Sequence, residues 1–443
     1  MTLFQFSAVE AARQIRDGHI TSEDLVHDCL ERIKAVDDDI QAWTHLDPEF
    51  ALDQARSRDL QRQAGAPMGA LHGVPIGIKD IIDTEDMPTE NGTPLDAGRK
   101  PDADAALVSM LRQAGAVIMG KTVTTELAFF SPGKTRNPHN PAHTPGGSSS
   151  GSAAAVASYM VPGAIGSQTN GSVIRPAAYC GVYGYKPTHG SISRTGVLEL
   201  SQILDTMGVF ARTIEDLALI AMQVMTYDNR DKDMHPTAVP PLLHTALSEP
   251  PVEPDLAFIK TAAWKDINGD GAEAFDELAE ALGARCQEEI LPKEYDEGWR
   301  WQQTIMSVDM AHSLRRLYDG GKDKLSATMV EILEKGQTEN ALDYRTAVHM
   351  RDHLASELDG LFDRYDAIIT PATTGEAPAG LDATGSPAFC TLWTYLGLPA
   401  VTIPLLEGEN SLPIGVQLVG KRGDDARLLR TANWLVRHLS EDS

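Results

Sequence analysis

Residues 146–175 read GGSSSGSAAAVASYMVPGAIGSQTNGSVIR. Two clusters of Gly and Ser stand there, each beside a run of small or apolar residues. A serine hydroxyl is a weak nucleophile until it is activated, and glycine is costly inside regular structure. Bringing several of both together suits a place where hydroxyls and backbone N–H groups converge on one reacting atom. Acyl transfer has that requirement: an activated hydroxyl and an oxyanion site.

Outward from this stretch, the pattern alternates. Ser22-Glu23-Asp24-Leu25 opens a predicted helix that LVHDCLERIKAV continues, and ALDQARSRDLQRQ predicts a second. Gly73-Val-Pro-Ile-Gly-Ile-Lys79-Asp80 is a short apolar run ending in charge, read as a buried strand whose last residues reach a functional edge. DADAALVSMLRQAGA is an amphipathic helix, and AVIMG a strand directly after it. Helix, strand, helix, strand favours an α/β layered fold. Residues 227–254 are rich in Pro, Asp and His and read as a long excursion, and 272–365 are largely helical by pattern. DAIITP, AVTIP and PIGVQLVG then return to strand character, which points to one sheet closed late in the chain and not to two independent domains.

The chain has 443 residues, 42% hydrophobic and 23% charged, ordinary values for a globular protein. Its net charge of −25 repels nucleic acid and anionic membranes, so neither is an expected partner. The simplest reading of that charge is solubility. No apolar run approaches the ~18 residues that span a bilayer. The first 25 residues hold no basic segment followed by an apolar core, so no signal peptide is expected and the cytoplasm is the default location. Cys29, Cys180, Cys286 and Cys390 are scattered without CxxC spacing, which argues for reduced, mostly buried thiols.

Four local motif matches compete with the acyl-transfer reading. Gly115-Ala-Val-Ile-Met-Gly120-Lys121-Thr122 fits the phosphate-loop pattern, but its middle residues should themselves be the strand. Gly147-Ser148-Ser149-Ser150-Gly151 fits GxSxG, yet three prolines in residues 137–145 prevent the central strand a nucleophile elbow follows. Ser131-Pro-Gly-Lys134 fits SxxK without companion motifs. His139 and His143 are separated by Pro141, so they share no helical face for zinc.

Ser172 survives this comparison. The segment Ile165-Gly-Ser-Gln-Thr-Asn-Gly171 is short of bulky side chains just ahead of it, so successive N–H groups can converge on one oxygen. The plain alternative is a glycine-rich turn with an incidental serine. No histidine is placed convincingly as its base. Lys79, desolvated at the end of an apolar run, would have a lowered pKa and act as a base near neutrality. The plain alternative there is a lysine extending to solvent from a strand end.

Taken together, Lys79 in GIKD, the GGSSSGS cluster and the block GSQTNGSVIRPAAYCGVYGYKPT resemble the amidase signature family of serine hydrolases. The resemblance is strong over residues 71–187, and the helical start and the closing LPIGVQLVG extend it more loosely to nearly the whole chain. It implies one α/β/α sandwich with a large mixed β-sheet, occupying 1–443 as a single domain. Within it, 1–65 would be N-terminal helices, 66–226 the signature core, 227–365 a variable, mostly helical region, and 366–443 closing strands with a C-terminal helix.

It also implies roles. Ser172 would be the nucleophile, Ser148, 24 residues earlier in a cis peptide, the proton bridge, and Lys79 the base. The backbone N–H groups of Thr169, Asn170, Gly171 and Ser172 would form the oxyanion site. Gln168 and Asn170 depart from the commonest family pattern, where Asp and Gly stand. Arg175, three residues after the nucleophile, matches the carboxylate-binding arginine of malonamidase-type members, which this chain resembles most in motif. Its plain alternative is structural, held by the protein's own carboxylates or carbonyls. Arg175, Gln168 and Thr125 are the substrate-side candidates. The implied activity is metal-free and cofactor-free hydrolysis of a small amide, in a monomer or homodimer. Carbamate, ester or aryl-amide hydrolysis with the same triad, the amidase component of a transfer-RNA amidotransferase, and a catalytically silent binding protein are the alternatives. Trp299, Trp301 and Trp393 read as pocket walls or, more simply, as core.

Overall fold

A computed structural model describes residues 2–441. The run PIGIK becomes strand β2 (Pro75–Lys79), buried at every position because parallel strands flank it on both sides. Those neighbours are β3 (Val117–Thr122) and β4 (Gly163–Gln168). β1 (Trp43–Leu46) pairs antiparallel outside β3. On the other side of β4 come β6 (Thr206–Ala211) and β5 (Tyr183–Lys186), then the late strands β10 (Ala400–Glu407), β11 (Pro413–Val419) and β9 (Ala367–Pro371). β7 (Leu256–Ile259) and β8 (Cys286–Glu289) close the far edge. The result is one eleven-stranded mixed sheet, ordered β1-β3-β2-β4-β6-β5-β10-β11-β9-β7-β8. Parallel triplets lie toward both ends and antiparallel pairs join them through the middle. The C-terminal strands enter the sheet beside β5, as a late closure requires.

Helices cover the sheet. The one that matters most for the site is Ser150–Ala157, whose sequence SGSAAAVA carries no long side chain. That is why it lies close against β2, β3 and β4. Gly151 shows how close: a Cβ there would sit 2.3 Å from both the Ala42 carbonyl oxygen and the Val123 amide nitrogen. Backbone atoms on two elements cannot both yield. Gly151→Ala is therefore expected to destabilise the protein by ~3 kcal/mol or more, read from the midpoint of denaturant unfolding; an unchanged midpoint would contradict this packing.

Six strands, β1, β4, β5, β6, β7 and β8, lie outside the runs that the sequence marks as strands. β8 interrupts the stretch read as helical: its sequence CQEE is partly exposed at the sheet edge and lacks apolar alternation. The excursion 227–254 contains one short helix, Leu242–Leu247. Trp301 and Trp393 are buried, while Trp299 is 45% exposed. Among the described residues no helix is long and apolar enough to cross a membrane.

Candidate active site

β2 and β4 run parallel and in register, so their carboxyl ends open on the same edge of the sheet. Ligands in open α/β sheets bind outside such ends. Lys79 is the last residue of β2 and is fully buried. Its Nζ lies 2.7 Å from Ser148 Oγ and 2.9 Å from Ser167 Oγ. Burial pushes its pKa down to about 7, against an opposing pull from the Asp205 carboxylate. A neutral amine donates to one hydroxyl and accepts from the other, so this geometry suits a base that takes the Ser148 proton while Ser167 orients it.

The peptide Gly147–Ser148 is cis. Of the three consecutive serines, only Ser148 reaches the lysine. The Ser149 hydroxyl pairs with the backbone of Ser167, 3.2 Å from both its N–H and its carbonyl oxygen, and Ser150 Oγ donates to the Val123 carbonyl. The GxSxG serine is thus tied into the packing of helix on strand. No strand precedes it either, since residues 124–149 form loops and one short 3₁₀ turn.

Ser172 follows β4 in the turn that leads into the helix Ile174–Tyr179. Its hydroxyl takes no hydrogen-bond partner among the described residues, and neither do the N–H groups of Asn170, Gly171 and Ser172. The Lys79–Ser148 hydrogen bond is therefore made, and no Ser148–Ser172 bond is. Ser172 shares a cavity of about 10 Å³ with Thr169, Asn170, Arg175, Phe129, Phe130 and Met306. A vestibule of about 570 Å³ adjoins it, sharing Ala128, Thr169 and Leu200.

The turn is held by residues far along the chain. Gln168 Oε1 accepts from the N–H groups of Val173 (2.8 Å) and Ile174 (3.0 Å), capping the helix that follows the serine. Gln168 Nε2 donates to Thr394 Oγ1, which in turn donates to the Asn170 carbonyl at 2.5 Å. Thr391 Oγ1 donates to Asn170 Oδ1 at 2.7 Å. Thr391 and Thr394 stand one turn apart on the helix Ala388–Tyr395. That helix approaches so closely that a Cβ at Gly171 would lie 2.9 Å from Pro387 Cβ. From the vestibule side, Asp205 accepts from Thr169 Oγ1 (2.6 Å) and from the Leu200 and Ser201 N–H groups. Burial outweighs these bonds and raises the Asp205 pKa to about 6.

The substrate-side candidates fall differently. Gln168 does not hold Arg175, and its carboxamide faces the protein. The Thr125 hydroxyl donates to the Phe129 carbonyl, and its N–H to Ser148 O. Both are committed to the scaffold. Arg175 is 2% exposed, donates to the Gly147 carbonyl (2.6 Å) and the Gly385 carbonyl (2.9 Å), and lies over the Phe130 ring. Among the described residues its Nε has no partner and no carboxylate pairs with it. Burial lowers its pKa, yet a guanidinium stays charged.

The competing motifs resolve into scaffold. Residues 117–122 of the phosphate-loop pattern are β3, and Lys121 is buried on the Ile82 carbonyl, Thr89 Oγ1 and Asp80. Residues 131–134 are irregular loop. His139 and His143 each bond a backbone carbonyl, of Cys180 and Ala377. Ser167, Asp205, Thr391 and Thr394 are the residues that sequence reasoning missed. Ser167 lies inside the decisive stretch, as one more hydroxyl just ahead of the turn, near the end of β4, a strand the sequence does not mark; the other three carry no signal.

A family model described as Amidase matches residues 24–429. The chain belongs to the amidase family, and its sheet with flanking helices is the amidase signature fold. It is 33% identical over 477 aligned positions to a glutamyl-tRNA(Gln) amidotransferase subunit of Salinispora arenicola, covering 97% of this chain and 96% of the relative. The corresponding protein of Chloroflexus aggregans is also 33% identical, at 98% and 96% coverage. Among solved structures, a peptide amidase from Stenotrophomonas maltophilia aligns with a TM-score of 0.86 at 28% identity, covering 98% of this chain and 96% of that one. A 6-aminohexanoate cyclic dimer hydrolase aligns at 0.88 and 26%, covering 99% and 98%.

Proposed function

We propose that this protein hydrolyses the C–N bond of a small amide through an acyl-enzyme on Ser172, without metal or cofactor. The observation that carries the reading is a fully buried Lys79 with its Nζ 2.7 Å from Ser148 Oγ; its burial pushes the pKa down to about 7, as a base near neutrality requires. Ser172 Oγ attacks the carbonyl carbon and gives its proton to Ser148, whose own proton passes to neutral Lys79. The carbonyl oxygen takes up negative charge against the N–H groups of Thr169, Asn170, Gly171 and Ser172. The C–N bond breaks as the relay returns the proton to the leaving nitrogen. Water then attacks the ester by the same path, the Ser172 O–C bond breaks, and the free acid leaves.

Carbamates, esters and aryl amides fit the same relay. The finer, malonamidase-type reading rests on Arg175, a buried cation beside Ser172 with an unpaired Nε. Arg175→Ala is expected to lower the kcat/KM ratio of malonamate over butyramide by ~10–100-fold, the loss of one charge-assisted contact. An equal fall on both substrates would assign Arg175 to support of the Gly147 carbonyl alone.

The identity to glutamyl-tRNA(Gln) amidotransferase subunits over 96% of their length favours a second reading, the amidase component of an amidotransferase. The discriminating experiment is turnover of simple amides, anilides, carbamates, malonamate and glutamine by the purified chain alone. Turnover of a small amide without any partner supports the first reading. Hydrolysis confined to glutamine and dependent on added partner proteins supports the second. We place the activity in the cytoplasm, on four unpaired cysteines of which three are buried.

A further inference from the structure

We propose that the Asn170 carboxamide is a specificity-determining donor of the acyl pocket, and that it selects acyl groups carrying a carbonyl or carboxylate oxygen near the scissile carbonyl. The inference rests on Ser172 being the nucleophile. Asn170 lines the same small cavity as Ser172 and is 5% exposed. Its Oδ1 accepts from Thr391 Oγ1 at 2.7 Å, while its Nδ2 is buried with no partner among the described residues.

The orientation of the amide follows from the neighbouring bonds. Thr391 Oγ1 also lies 3.0 Å from the Pro387 carbonyl, but that oxygen already accepts from the Cys390 N–H (2.8 Å) and the Thr391 N–H (3.1 Å). Both of its lone pairs are occupied, so the hydroxyl proton goes to Asn170. Oδ1 is thereby fixed on the helix Ala388–Tyr395, and the NH₂ group is the face left unpaired.

The rest of the cavity matches. Its polar side chains are Thr169, Asn170, Ser172 and Arg175. The Thr169 hydroxyl is donated to Asp205, and Arg175 Nε, like Asn170 Nδ2, is a buried donor without an acceptor. A site with two unpaired N–H donors around the nucleophile penalises a purely aliphatic acyl group, which leaves both unpaired, and favours one that brings an acceptor. Asn170 supplies this without charge, so it acts on a neutral carbonyl where Arg175 acts best on a carboxylate.

The test is competition against labelling of Ser172 by a fluorophosphonate, with malonamide and 3-methylbutanamide as neutral ligands of equal heavy-atom count. Wild type is expected to be protected by malonamide at ~10-fold lower concentration than by 3-methylbutanamide. In Asn170→Ala that preference should shrink to about threefold or less. Thr391→Val, which frees the carboxamide to turn, should reduce it part way and provides a second variant should Asn170→Ala fail to fold. A preference unchanged in either folded variant, or absent in wild type, overturns the proposal. Wild type that is not labelled at all, or labelled elsewhere, overturns instead the nucleophile assignment on which it rests.

Discussion

Ser172→Ala is expected to lower kcat by about four orders of magnitude or more, an increase of about 5 kcal/mol in the barrier, with little change in folding. Its hydroxyl takes no partner among the described residues, so its removal leaves no buried group unsatisfied. Ser149→Ala is the informative contrast. Its hydroxyl bridges the backbone of Ser167 at 3.2 Å, so its loss costs about 1 kcal/mol of stability for each bond and leaves the chemistry in place. Parallel kcat and unfolding measurements separate the two. Comparable activity losses in both variants would place the nucleophile in doubt.

Lys79→Met is expected to abolish amide turnover near neutral pH by ~10³-fold or more, since no other base among the described residues reaches Ser148. In wild type, kcat/KM should rise with pH through about 7 as the buried ammonium loses its proton. A profile flat down to pH 5.5 would remove Lys79 as the base. The stability consequence has the opposite direction to the activity. A lysine with a folded pKa near 7 and an unfolded one of ~10.4 binds a proton less readily when folded. Its penalty is absent above the unfolded value, grows as pH falls, and is complete below about 7. Met carries no such penalty but leaves Ser148 and Ser167 each short of one bond. The Tm of Lys79→Met relative to wild type should therefore increase from pH 10 down to 7 and level off below. A difference independent of pH would contradict burial of a titrating amine.

The parts of the site legible in the sequence are those whose chemistry is local. Lys79 stands out as a charge closing an apolar run, and Ser172 as a hydroxyl after a run of small residues. The turn around Ser172 is another matter. Its position depends on Thr391 and Thr394, more than 220 residues away, and on Asp205 across the vestibule. Such partners have no sequence signature because a hydroxyl on a helix and a carboxylate in a loop are commonplace. Gln168 shows the converse: its place in the motif drew it toward substrate, while its hydrogen bonds cap a helix. In the fold, β2 and β3 are legible because each carries a short apolar run ahead of its closing polar residues, whereas the edge strand β8 is not, since its polar residues obey no burial pattern.

The most direct test of the account is site mapping of the covalent adduct formed with a fluorophosphonate, by peptide mass spectrometry on wild type, Ser172→Ala and Ser149→Ala. The prediction is one adduct on Ser172 in wild type and in Ser149→Ala, and none in Ser172→Ala. An adduct on Ser148 or Ser149 in wild type, or labelling that persists in Ser172→Ala, would contradict it.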